Sequence, residues 1–376
     1  MSDKELWFPI SEYRSRVTGV QERLRERGLD GLLAFQAESV TWLTGHFTRA
    51  YGAFQLALVP RDRDPLVVCR DQSAFYVRLR GAFDGCFVWR DGDDPVATAA
   101  RAVTETFGPA GRLGIEMGAW HLSASRFVAL RSALPDTVFE DIGDLVARQR
   151  LVKSPGELAL QRRAGKAAEA GMTAGVEAAR PGVLEREVAA AVSAALVRAG
   201  SDEPGPGVLA SGERALHLHG GYGDRRLEEG DTLQLEVTPC VRQYHARFMR
   251  TIKVGRATPE ERGKAEALLA VQDRALAEVR PGVAAAVPDR VYRDGILATG
   301  LTDRYTNKTF YSVGLILRPS GGEPLEATPG CTWTFVPGMT FHTYLLVDGF
   351  GFSETIAVTP DGHERLTNYP RRLLVA

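Results

Sequence analysis

The chain has 376 residues, 44% of them hydrophobic, and its 46 Lys and Arg nearly cancel its 47 Asp and Glu. That length holds two ordinary domains with separate cores, and a net charge this close to zero gives no pull toward nucleic acid or an anionic membrane, so a small-molecule partner is expected. Cys69, Cys86, Cys240 and Cys331 are far apart and form no CxxC pair, against a disulfide framework or zinc knuckle. The opening MSDKELWFPI has charges and a proline where a leader peptide needs an unbroken apolar run. Reduced thiols and a cytoplasmic location are expected.

Residues 11–28 place apolar side chains at helical spacing among charges and stop at a glycine. Short β-like runs follow, DGLLAF, FQLALVP and DPLVVCR, punctuated by Gly and Pro. A helix over 95–107, a strand over 112–117 and a helix through DLVARQRLVKS complete an α/β domain over residues 1–150. Ser154, Pro155 and Glu157 then form a helix-start signal, opening an Ala-rich helix that runs to Pro181. Beyond it the pattern predicts helices over 184–199 and 258–279, strands around 205–211 and 232–254, and a strand-rich end from 309 to 375. Helices interleaved with hairpins make 151–376 an α+β domain.

The segment LQLEVTPCVRQYHARFMRTIKVG, residues 233–255, reads as two strands around a turn. Alternation puts Glu236 on the face opposite Leu233, Leu235 and Val237. On the return strand His245, Arg247, Met249 and Thr251 share a face, and folding about Pro239–Arg242 is expected to bring Glu236 opposite the 245–247 region. A cross-strand Glu–Arg pair is as often a solvated ion pair, but His217 and His219 lie in the loop before the hairpin, and GFGFSETIAV puts Glu354 in an apolar strand. His46, His121 and His363 are read as structural or surface residues.

These blocks resemble the superfamily of methionine aminopeptidase, prolidase and creatinase, the pita-bread fold. QRLVKSPGELALQRRAG is similar to its domain-entry helix, HGGYGDRRLEEGDTLQLEV to its histidine loop, and YHARFMRTIKVG to its Arg-Thr strand; FYSVGLIL, PGMTFHTYLLVDGFGFSETIAV and TPDGHERLT match later strands in order. The resemblance implies an α+β pita-bread C-terminal domain behind an α/β creatinase-type N-terminal domain, and a homodimer. It places Glu236, Arg247, Tyr311, Tyr344 and Glu354 where the metallopeptidase members hold two metal ions. Two carboxylates and an arginine make a poor cage for paired divalent ions, so no metal and no other cofactor are expected.

The similarity is nearest to the metal-free creatinase and ectoine hydrolase branch. Met249 stands where creatinase carries a second hairpin glutamate, and LILRPSGGEP departs from the ectoine-hydrolase pattern. The branch implies hydrolysis of a C–N bond in a small amidine-type zwitterion. His219, Glu236 and Glu354 are then the catalytic candidates, and Arg247, His245, Tyr311, His342 and Tyr344 the substrate-binding ones, with Arg318 a weaker candidate for a carboxylate. Trp42 and Phe47, in WLTGHF, are candidates for a pocket lid. The competing readings are an Xaa-Pro dipeptidase or aminopeptidase, and a non-catalytic binding protein.

Overall fold

The structure, a computed structural model, describes residues 4–318 and 320–376. It divides into two compact units: Met1–Arg150 with Leu317–Gly321, and Leu151–Ile316 with Gly322–Ala376. The second half of the chain is thus not one block, because the short 317–321 stretch belongs with the first unit. There the Leu317 amide donates to the Glu38 carboxylate at 2.9 Å, and Gln36 Nε2 donates to Ser320 Oγ at 3.0 Å.

In the first unit, helices α1 (Ile10–Glu26), α2 (Ala37–Thr44), α3 (Asp71–Arg80), α4 (Pro95–Phe107), α5 (Ala124–Ala133) and α6 (Leu145–Arg150) accompany a sheet. Its strands are β1 (Gly31–Ala34), β2 (Leu56–Pro60), β3 (Leu66–Arg70), β4 (Cys86–Trp89), β5 (Arg112–Ile115) and β6 (Val138–Asp141), in the order β4-β3-β2-β1-β5-β6 among the described residues. Leu33, Leu56, Leu58, Val68, Val103 and Leu113 fill one core. Helices α2, α3 and α5 escape the sequence reading. All eight residues of α2 are buried, so it has no polar face to set a helical period. Trp42 and Phe47 are interior, Trp42 against the Arg16 guanidinium and Phe47 against Trp7 and Tyr51. They pack within this unit.

The second unit begins where the helix predicted through Ser154 instead ends at Arg150. Val152 bridges Met339, and Ser154 caps α7 (Pro155–Ala178) in a capping box with Glu157. Helices α8 (Glu185–Arg198), α9 (Pro259–Ala277) and α10 (Ala286–Ala298) complete its helices. Its strands are β7 (Pro206–Ser211), β8 (Thr232–Val237), β9 (Cys240–Val241), β10 (Tyr244–His245), β11 (Phe248–Lys253), β12 (Phe310–Ser312), β13 (Glu326–Ala327), β14 (Thr340–Val347), β15 (Phe350–Val358), β16 (His363–Arg365) and β17 (Leu374–Val375).

The main sheet runs β13-β12-β14-β15-β11-β8-β7, with β16 on β15 and β17 on β11. Helix α7 presses onto it through small residues: a Cβ on Gly165 would lie 1.9 Å from the Leu366 carbonyl oxygen, and one on Gly175 2.3 Å from Leu235. Among the described residues no helix is long and apolar enough to cross a membrane.

Candidate active site

The predicted hairpin has an extra fold in it. Arg242 and Gln243 both take positive φ, 50° and 63°, and close a tight two-residue turn between β9 and β10. This ribbon consumes residues, so β8 and β11 pair further along, with Glu236 opposite Met249 and Gln234 opposite Thr251. The expected pairing of Glu236 with the 245–247 region is corrected by this shift. His245 belongs to the ribbon: its amide donates to the Gly314 carbonyl, and its Nε2 lies 3.2 Å from the Ile316 carbonyl oxygen.

Cross-strand register lays out the face that carries Glu236. Arg250 pairs with Phe352, which brings Met249 opposite Ser353. Ser353 pairs with Tyr344, Thr355 with His342, and His342 with Tyr311. One row of this face therefore reads Glu236, Met249, Ser353, Tyr344, and the next reads Arg247, Thr355, His342, Tyr311. Thr355 fixes Arg247 by its backbone, its hydroxyl accepting from the Arg247 amide and donating to the Arg247 carbonyl, each at 2.8 Å.

From there a polar chain runs along the row. Arg247 donates to the Tyr311 hydroxyl at 2.9 Å, and that hydroxyl lies 2.8 Å from His342 Nδ1. His342 Nε2 points toward Glu236, 3.8 Å from Oε1. With the Tyr311 proton donated to Nδ1, the neutral His342 ring carries its own proton on Nε2, facing the carboxylate. The His342 ring also stacks on Tyr344, with centroids 5.5 Å apart.

Burial drives the electrostatics. It raises the Glu236 carboxyl above its ordinary value, an effect opposed by Arg247 and then by His219. Burial, helped by the Arg247 charge, holds His342 well below the usual imidazole range, so this ring is neutral near pH 7. Burial also pushes Tyr311 up to about 12, against the pull of Arg247. For Arg247, burial works to lower the pKa, but Tyr311 and Glu236 outweigh it and raise the value.

His219 comes from the loop between β7 and β8, exposed and in a left-handed conformation at φ 70°, unusual for a residue with a side chain. Buried Glu185 pins that loop at both ends, accepting from the Ser211 amide at 2.9 Å, from Arg214 and from the Gly223 amide at 2.8 Å. His217, also exposed, shares the loop.

Glu354 is placed elsewhere. It pairs with Thr343 on the opposite face of the sheet, fully buried. Arg250 binds its Oε1 at 2.6 Å, the Thr367 hydroxyl its Oε2 at 2.7 Å, and Arg371 lies 3.4 Å away. This corrects the expectation that Glu354 joins Glu236 in the site: strand alternation turns it away, and two arginines neutralise it. Ser353, one residue earlier, is the side chain that shares the Glu236 face. The signal was present in Phe350, Phe352, Ile356 and Val358, which line the core on the very parity that includes Glu354.

The donor set can be tested against a metal pair. On β8, β11, β15, β14 and β12 the face bears one carboxylate, Glu236, and at the edge strand Glu326 is exposed and bonded to Lys308. Arg247 shares that face and its positive charge acts on Glu236, and among the described residues no group of three or more His, Cys, Asp or Glu is arranged to hold a metal ion. One carboxylate next to a guanidinium does not fit two divalent ions. The face also has an apolar side, where Met249, Tyr344 and Leu346 cluster with the partly buried Leu218 and Tyr311.

Known proteins agree on the ancestry. The model of metallopeptidase family M24 matches residues 159–360, and that of the creatinase/prolidase N-terminal domain matches 16–152. An uncharacterised hydrolase/peptidase of Sinorhizobium fredii is 30% identical, with 98% of this chain and 99% of that protein covered. Ectoine hydrolase of Halomonas elongata is 28% identical over all of both chains. The crystal structure of dipeptidase PepE from Mycobacterium ulcerans superposes with a TM-score of 0.83 at 25% identity, covering 98% of this chain and 99% of its own.

Proposed function

From the premise that this chain belongs to metallopeptidase family M24, a family of hydrolases, we propose that it hydrolyses a C–N bond in a small amidine-type zwitterion without a metal ion. The observation that carries the reading is the presence on one sheet face of a single carboxylate, Glu236, and a fixed guanidinium, Arg247. Such a face binds a ligand bearing both charges: Glu236 accepts from the cationic nitrogens, and Arg247, backed by Tyr311, takes the carboxylate. The full-length similarity to ectoine hydrolase supports the same class of substrate.

In this mechanism water forms a bond to the amidine carbon while His219 takes its proton. The C–N bond then breaks, and the proton passes from His219 to the leaving nitrogen. Glu236 orients water and substrate. The Tyr344 hydroxyl, kept protonated by burial, donates to the tetrahedral intermediate, while Tyr311, protonated for the same reason, holds His342. The protein acts on its substrate in the cytoplasm, as a homodimer.

A second reading is supported by the similarity to dipeptidase PepE: hydrolysis of a dipeptide, whose two termini would meet the same pair of charges. Chelator-treated enzyme assayed by mass spectrometry against ectoine, related cyclic amidines, guanidino acids and Xaa-Pro dipeptides separates the two. Turnover of an amidine or guanidino acid with no metal present is the expected result. No turnover after chelation, with prolyl peptides alone turned over once divalent metal is restored, overturns the proposal.

A further inference from the structure

Two buried polar atoms on the Glu236 face have no hydrogen-bond partner among the described residues and no part in the mechanism above: Ser353 Oγ and Gln234 Oε1. Both residues are fully buried. They flank Met249. Gln234 precedes Glu236 by two positions on β8 and its Nε2 touches the Met249 sulfur at 2.8 Å, while Ser353 comes opposite Met249 on the other side. The thioether also covers Gly351, where a Cβ would lie 2.8 Å from the Met249 methyl. The surroundings are apolar, formed by Met249, Tyr344 and Leu346.

An unsatisfied hydroxyl and amide oxygen inside an apolar patch cost stability and are rare in native proteins. Nothing in the packing requires them, since alanine at 353 would give up no bond. Ligand sites, in contrast, have this composition: apolar walls with a few placed polar atoms.

We infer that Ser353 and Gln234 are substrate-recognition residues. They form a subsite that takes an alkyl-bearing part of the substrate with hydrogen-bond donors for Gln234 Oε1 and for the Ser353 hydroxyl oxygen. An amidinium carrying a short alkyl group supplies such N–H donors beside a carbon that bears the apolar substituent. The inference rests on the proposed function for the identity of the charged part, but it stands on separate atoms.

The test uses the full chain with S353A and Q234A variants, titrated calorimetrically with ectoine and, in parallel, with Gly-Pro. For whichever probe the wild type binds, each variant is expected to bind about 10- to 100-fold more weakly. Without ligand, S353A should melt at the wild-type temperature or above it, because no bond is lost. Unchanged affinity in both variants overturns the inference, as does an S353A melting temperature lower by ~3 °C or more, which would assign the hydroxyl a structural role. Binding of Gly-Pro alone, weakened in the variants, retains the subsite while overturning the amidine reading.

Discussion

Glu236 carries the heaviest chemical demand of any side chain in this site. Removing its charge with little change of shape, as in E236Q, is expected to lower kcat/KM by roughly 10²- to 10⁴-fold, measured on the substrate identified from the amidine panel. Because burial raises its carboxyl above the ordinary 4.5, and binding of a cation needs it ionised, the acid limb of the kcat/KM profile should lie above that value. E236Q should remove the Glu236 contribution to that limb along with most of the activity. His342 completes the arrangement from the buried side, held neutral and oriented by the Tyr311 hydroxyl. None of this relay was legible in the sequence beyond its residue types, because it depends on which of three strands' side chains fall in one row. Tyr311, His342 and Arg247 were named from a family resemblance, while the bonds that link them are products of register.

Strand β15 shows how one residue of parity separates chemistry from support. Glu354 and Ser353 are neighbours in sequence and point to opposite faces of the sheet. Arg250, fully buried against Glu354, becomes an uncompensated charge the moment that carboxylate is removed. E354Q is therefore expected to destabilise the second unit by about 3–5 kcal/mol, read from chemical denaturation, whereas E236Q, which removes a costly buried charge, should leave stability unchanged or higher. The reverse outcome would exchange the two roles. The apolar alternation at Phe350, Phe352, Ile356 and Val358 made this parity readable from the chain alone; the similarity to a catalytic glutamate outweighed it. In the β8–β11 hairpin the alternation was read correctly but the register was not, since a tight turn at Arg242 and Gln243, neither of them glycine, gives little warning in the sequence.

Across the whole molecule the order of elements was far more legible than their contacts. The capped start of α7, the Ala-rich run that lets it lie close on the sheet, and the strand-rich end are all local patterns. Helices α2, α3 and α5 were not legible, because burial on all sides or weak amphipathicity erases the helical period. The first unit also carries a titrating group of its own. Burial raises Glu116 from an ordinary 4.5 to about 7, despite bonds from Ser39 and the Gln36 amide. The folded state thus holds this proton more tightly than the unfolded one. The stabilisation is complete below about pH 4.5 and is lost as pH rises through about 7, by on the order of 3 kcal/mol. Hydrogen exchange of first-unit amides between pH 5 and 8 should show the decline in wild type and its absence in E116Q.

The stretch Leu317–Gly321 sets a limit on modularity. It sits only a few residues beyond Tyr311, yet its amide at Leu317 donates a hydrogen bond to the buried Glu38 carboxylate. A fragment severed after Arg150 would keep that acid and its bond from Gln36 Nε2 but lose the Leu317 donor, so the amino-terminal portion is not a self-contained building block. Shuffling it between relatives would require the distant pentapeptide to travel with it.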